Sequence, residues 1–238
     1  MLEKPILHEP VLIEGLPGIG FVANIAALHL INELKATKFC EIHAPTFQNV
    51  SICVEGGSIR SPVNELYYCH SHDESRDLMV LYGNTQALTP YGQYALCGKV
   101  LDLARSLGCR LVTCMGGLKR EKIGSVPKVY GTAESHETLN EILNCGVNLI
   151  QGRVVGAAGL LVGLAKLKGM RGFCLLAETL GIYPDVIAAQ VVLEMLCKIL
   201  NLKIDLSRLE TAANETRKIL ELYGLPNFQS KPDFPGFV

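Results

Sequence analysis

A chain of 238 residues that is 49% hydrophobic and only 19% charged can bury a sizeable core and is too apolar to stay disordered. Its formal net charge of −1, with Lys and Arg scattered along the chain, gives no field to attract DNA or RNA, so nucleic acid is not an expected partner. The positive mean hydropathy points instead to a sheet covered on both faces or to an extensive subunit interface.

Residues 11–34 open the chain with an apolar segment (Val11, Leu12, Ile13). A turn containing Gly15, Pro17, Gly18 and Gly20 follows, then an apolar run long enough for about four helical turns. A strand, a tight turn and a helix begin a βαβ crossover, and ligands of such sheets sit at the carboxyl ends of the strands. Phe21 and Val22 follow Gly20 where a phosphate loop needs Lys and then Ser or Thr, which excludes that loop. The glycine spacing is two residues and then one, the reverse of the dinucleotide fingerprint, and Glu14 would repel a pyrophosphate. A structural turn is the preferred reading.

Residues 38–44 and 50–55 alternate as consecutive strands, and 64–69 and 77–82 follow as two more, joined by the polar loop HSHDESR. These strands, linked without helices, are expected to form an antiparallel or mixed part of the sheet. His70 and His72 on the loop tip have no Cys nearby and are read as solvent-facing rather than as metal ligands. Thr89 and Pro90 supply an N-cap and a first helical residue for a helix reaching Leu107, where Gly108 stops it. Residues 110–115 form a buried strand ending in Gly116 and Gly117, so strand, glycine turn and helix are expected to recur.

Residues 126–132 read as a strand at the sheet margin, because Pro127 cannot donate to a central ladder. Ser135 caps a short helix ending near Gly146. Residues 149–168 pass from an extended segment into a helix rich in Gly and Ala, whose small side chains imply close approach of a neighbouring helix or subunit. Residues 172–178 make the last central strand, and Pro184 and Asp185 open an almost wholly apolar helix to Leu200 that should be sandwiched. Ser207 with Glu210 reads as a capping box for the final helix, which Gly224 and Pro226 stop.

The alternation predicts one α/β domain over residues 1–224, with a central, mostly parallel or mixed sheet flanked by helices. Residues 225–238 are expected to be a flexible tail, and its aromatic residues Phe228, Phe234 and Phe237 suggest docking, onto the domain or into a partner. The longest apolar and glycine run, residues 154–165, is too short to cross a bilayer, and no signal-peptide pattern stands at the amino terminus, so a soluble intracellular protein is expected. Nine cysteines form no C-x-x-C pair and read as buried free thiols.

Polar groups stand at three predicted strand ends: Glu14, Asn84 beside Thr85, and Glu178 beside Thr179. With Gly117 they outline a possible ligand crevice. Two carboxylates in one crevice could do acid–base work, but no Ser–His pairing, nucleophile elbow or metal-ligand spacing accompanies them. No catalytic residue and no metal is assigned. A small-molecule-binding protein, or a hydrolase or phosphorylase-like enzyme using this crevice, remains the alternative function.

Four segments together, residues 15–30 (GLPGIGFVANIAALHL), 116–133 (GGLKREK then VYGTA), 156–165 (GAAGLLVGLA) and 175–196 (LLAETLGIYPDVIAAQVVLEML), resemble the archaeal members of the proteasome assembly chaperone family. The resemblance implies a nucleoside-phosphorylase-like α/β fold, a cytoplasmic homo-oligomer without cofactor, and ATP-independent binding to proteasome α-subunits rather than catalysis. Members that act on the proteasome end in a hydrophobic residue, a tyrosine and any residue, which dock between α-subunits. By that resemblance Phe237 would supply the aromatic ring and Val238 the terminal carboxylate. Gly236 departs from the hydrophobic position, and Phe234 offers an apolar contact in a shifted register.

Overall fold

Apolar runs that alternate between two covered faces fix the centre of the molecule. The computed structural model describes residues 4–53, 56–71, 76–124 and 126–222. In chain order, β1 (Val11–Gly15) leads through a single tight turn of 3-10 helix (Ile19–Phe21) into α1 (Val22–Glu33). Next come β2 (Thr37–Ile42), β3 (Ile52–Cys53), β4 (Ile59–Arg60), β5 (Asn64–Cys69), β6 (Leu78–Gly83), α2 (Pro90–Ser106), β7 (Leu111–Lys119) and β8 (Val129–Ala133). The chain continues with α3 (His136–Asn144), β9 (Asn148–Leu149), α4 (Gly156–Leu167), β10 (Arg171–Thr179), α5 (Val186–Leu200) and α6 (Ser207–Leu222).

The main sheet has eight strands in the order β2-β5-β6-β1-β7-β10-β8-β9. Its centre, β6-β1-β7-β10, is parallel, with Glu14 level with Leu81 on one side and Cys114 on the other. The flanks turn antiparallel, β5 against β6, β2 against β5 and β8 against β10. This is a single-domain mixed α/β fold. The period of two along β1 sends Val11 and Ile13 to the core under α1 and α5, and Leu12 to the core under α2 and α4. Such double burial is what a parallel centre requires, and each fully buried Leu or Ile adds about 1.5–3 kcal/mol.

Helix starts follow their capping residues. Thr89 accepts from Gly92 N at 3.1 Å, Ser135 from Thr138 N at 3.2 Å, and Asp185 from Ala188 N at 2.9 Å. The apolar α5 lies between α6 and the layer made by α1 and the sheet, burying Val192, Leu193 and Leu196 while Glu194 and Lys198 stay outside.

Three expectations are corrected. Of the strand expected at residues 50–55, the described part, residues 50–53, contains β3, which pairs with β4 in a separate two-stranded ribbon and does not join the main sheet. β7 does not turn at its glycines but runs through them to Lys119, and no helix follows. The reason lies across the chain: a Cβ on Gly117 would stand 2.4 Å from the Ile19 carbonyl oxygen, so the glycine admits the turn after β1 rather than making one of its own. Ser207 is the first residue inside α6 and not its cap, because the Asp205 carboxylate accepts its N–H at 2.9 Å. His72 and the tail residues Phe228, Phe234, Gly236, Phe237 and Val238 lie outside the described residues. Among the described helices none is long and apolar enough to cross a membrane.

Candidate functional site

The carboxyl edge of the parallel strands is where the chain places its unusual residues. Gly15 ends β1 against α1, where a Cβ would meet that of Ala27 at 2.1 Å, so the turn leaves the strand directly beneath the helix. Gln86 then ties the edge together. Its Nε2 donates to Pro17 O at 2.6 Å, while its Oε1 accepts from Gln93 Nε2 at 2.6 Å and from Ala157 N at 3.0 Å. The turn after β1, the start of α2 and the start of α4 are thereby held around one crevice.

That crevice has a volume of about 180 Å³ and is lined by Glu14, Leu16, Met115, Gly117, Arg153 and Leu176 among others. Glu14 is 1% exposed at its floor. Its Oε1 accepts from Leu16 N at 2.9 Å, and its Oε2 has no hydrogen-bond partner among the described residues. Removal from water pushes the carboxyl from its ordinary 4.5 up to about 8, partly opposed by the Leu16 hydrogen bond. Glu14 is therefore mostly neutral at pH 7. Burial, and then the proximity of Glu14, holds the Cys97, Cys114 and Cys174 thiols above their usual range, Cys97 at about 12, which makes them poor nucleophiles.

Of the residues picked from sequence, Glu14 and Gly117 line this crevice while Asn84 and Glu178 do not. Asn84 is a loop staple: its Oδ1 accepts from Val63 N at 2.8 Å and its Nδ2 donates to Ser61 O at 3.2 Å. Glu178 accepts from Lys128 N and from the Tyr130 hydroxyl, both at 3.1 Å, with Arg120 at 3.6 Å stacked over the Tyr130 ring. Both strand-end groups spend their polar atoms on neighbouring loops. Sequence reasoning passed over Gln86 and Arg153, for which the only local signal is a lone cation just before a small-residue helix.

Around the same edge stand exposed apolar side chains: Ile19 and Phe21 in the turn after β1, Ile182 beside them, and Leu88, Tyr91 and Tyr94 at the start of α2. Phe21 holds φ at 51°, a left-handed conformation that costs a bulky residue about 1–2 kcal/mol. A larger hollow of about 440 Å³ opens at the opposite, amino edge, where Arg171 is paired with Glu141 and Arg76 with Glu9. His70 pairs with Asp77 at 3.1 Å beside this hollow, where the same Asp77 oxygen accepts from His8 N at 2.8 Å.

Comparison with known proteins places this geometry among relatives. The fold matches the crystal structure of Pyrococcus furiosus PbaB, an archaeal proteasome activator, with TM-score 0.87 and 39% identity over 94% of this chain and 96% of that one. Pyrococcus furiosus PbaA, an archaeal homolog of proteasome-assembly chaperone, shares the fold at TM-score 0.75 and 24% identity, covering 93% of this chain and 95% of that one. An uncharacterized protein of Methanocaldococcus jannaschii is 36% identical over 217 residues, which is 90% of this chain and 83% of that protein. The family model described as PAC2 family matches residues 12–222, and this chain belongs to the PAC2 family.

Proposed function

We propose that this chain is an ATP-independent, non-catalytic assembly factor that works as a cytoplasmic homo-oligomer and binds proteasome α-subunits. The observation that carries the reading is the near full-length match, at 39% identity, to a relative described as an archaeal proteasome activator. Two physical features support it. The exposed apolar residues at the carboxyl edge, Ile19, Phe21, Ile182, Leu88, Tyr91 and Tyr94, are chemically suited to contact another protein surface. The thiols nearest Glu14 are held protonated by burial, which favours binding over covalent chemistry at that edge.

In this reading the contact with α-subunits is made by Phe234, Phe237 and the terminal carboxylate of Val238. The test compares the full chain with a version ending at Pro226, each mixed with purified α-subunits and weighed by mass photometry. Complex formation by the full chain alone supports tail docking. Equal binding by both assigns the contact to the folded body, and no binding by either refutes the proteasome partner.

A further inference from the structure

We infer that the crevice over Glu14 binds a small aliphatic carboxylate, its anionic head between the Glu14 carboxyl and the Arg153 guanidinium and its alkyl body on the apolar walls. The first ground is an unmet hydrogen bond. Glu14 Oε1 accepts from Leu16 N, so in the neutral acid the proton sits on Oε2, and that hydroxyl is a donor with no acceptor among the described residues. A buried donor without an acceptor is unfavourable, and an occupant that brings an acceptor removes the penalty.

Two further groups select an anion as that acceptor. Arg153 lines the same crevice, and among the described residues no carboxylate lies within ion-pair distance of it. The 12-residue α4 begins there too, with no acidic residue in its first turn; Gln86 Oε1 takes the Ala157 N–H, a neutral acceptor that leaves part of the helix's positive end for an anion. A cationic ligand would meet both unfavourably. Because burial keeps Glu14 mostly neutral at pH 7, an incoming anion finds a donor and not a like charge.

Size and wall chemistry narrow the class. A cavity of about 180 Å³ holds roughly six water-sized volumes, enough for a branched acid of about five carbons. Leu16, Met115, Val154 and Leu176 present hydrocarbon to it, which suits an alkyl body and disfavours a fully hydrated inorganic anion.

The test titrates isovalerate into the full isotope-labelled chain at about pH 7 and follows the Glu14 carboxyl carbon and the Gly117 and Ala158 amides by NMR. Saturable shifts with a dissociation constant in the millimolar range are expected for a ligand of this size. Inorganic phosphate and 3-methylbutanol, which carry the charge or the alkyl body alone, should bind at least about tenfold more weakly. The exposed Arg153→Gln should weaken isovalerate about tenfold while leaving the remaining amide spectrum in place. Glu14→Gln, whose amide still donates, should stay within about threefold of the parent. Absence of saturation up to about 50 mM, equal affinity in Arg153→Gln, or phosphate binding as tightly as isovalerate would each overturn the inference.

Discussion

Replacing Glu14 by Gln separates the carboxyl's titration from its packing. The amide keeps the shape, accepts from Leu16 N as before, and puts an N–H donor where the acid hydroxyl stands. In the folded chain the carboxyl titrates at about 8, against an ordinary 4.5 when the chain is unfolded. Between those values the folded state holds a proton that the unfolded state has lost, so stability falls as pH rises and levels off above about 8. A gap of about 3.5 pH units at about 1.36 kcal/mol each, trimmed by local relaxation, amounts to a loss of about 3–5 kcal/mol.

The thiols that feel Glu14, Cys97 on α2, Cys114 on β7 and Cys174 on β10, are held above this window by burial. The difference between parent and variant therefore reports Glu14. Denaturant unfolding followed by circular dichroism at about pH 5, 7 and 9 measures it. The two proteins should be nearly equal at the acid end, and the Gln variant should be more stable by about 3–5 kcal/mol at the alkaline end. Parallel stability curves from pH 5 to 9 would show that Glu14 is not held neutral by burial.

Gly117→Ala should cost about 2–4 kcal/mol in unfolding experiments, since its Cβ meets the Ile19 carbonyl. Gly116→Ala meets only the end of the Leu176 side chain at 2.7 Å and should cost about 1 kcal/mol. Phe21→Asn exchanges a half-buried ring for a residue that tolerates the left-handed region, so monomer stability should change by less than about 1 kcal/mol. Under the proposed homo-oligomer, self-association measured by sedimentation should weaken with the same change, and a sedimentation profile identical to the parent's would refute a role for Phe21 in that association. Asn84→Ala loses hydrogen bonds to Val63 and Ser61 and should cost about 1–2 kcal/mol by denaturant unfolding, with no effect on ligand titrations at Glu14.

What was legible in the sequence was local. The limits of β5 follow from alternation between turn residues, and Thr89, Ser135 and Asp185 cap the helices they precede because each bond spans three residues. What was not legible depends on another part of the chain. Gly116 and Gly117 look like a turn until the segment after β1 is laid across them, and Asp205 reaches the Ser207 amide ahead of the box that Ser207 and Glu210 suggest. Gln86 acquires its role only by bonding residues 69 and 71 positions away. The polar strand ends were visible as residue types, but whether each one faced a loop or a cavity was decided by side-chain geometry.

That division also explains why only one strand end remains a candidate for binding. Asn84 and Glu178 each satisfy both polar side-chain atoms on adjoining backbone or hydroxyl groups, so their burial stabilises the loops they hold. Glu14 satisfies only one oxygen, and an apolar residue of similar size would fill its place without the desolvation penalty. Phe21, with its left-handed backbone and half-exposed ring, is a second unfavourable choice on the same edge. Such choices are costs to the isolated folded chain, and they fall where Arg153, the start of α4 and the apolar rim converge. The amino edge also holds a non-glycine residue in the left-handed region, Glu9 at φ 38°, but the charges lining its hollow are paired, so it is the unpartnered Glu14 oxygen rather than backbone strain that argues for placing binding at the carboxyl end.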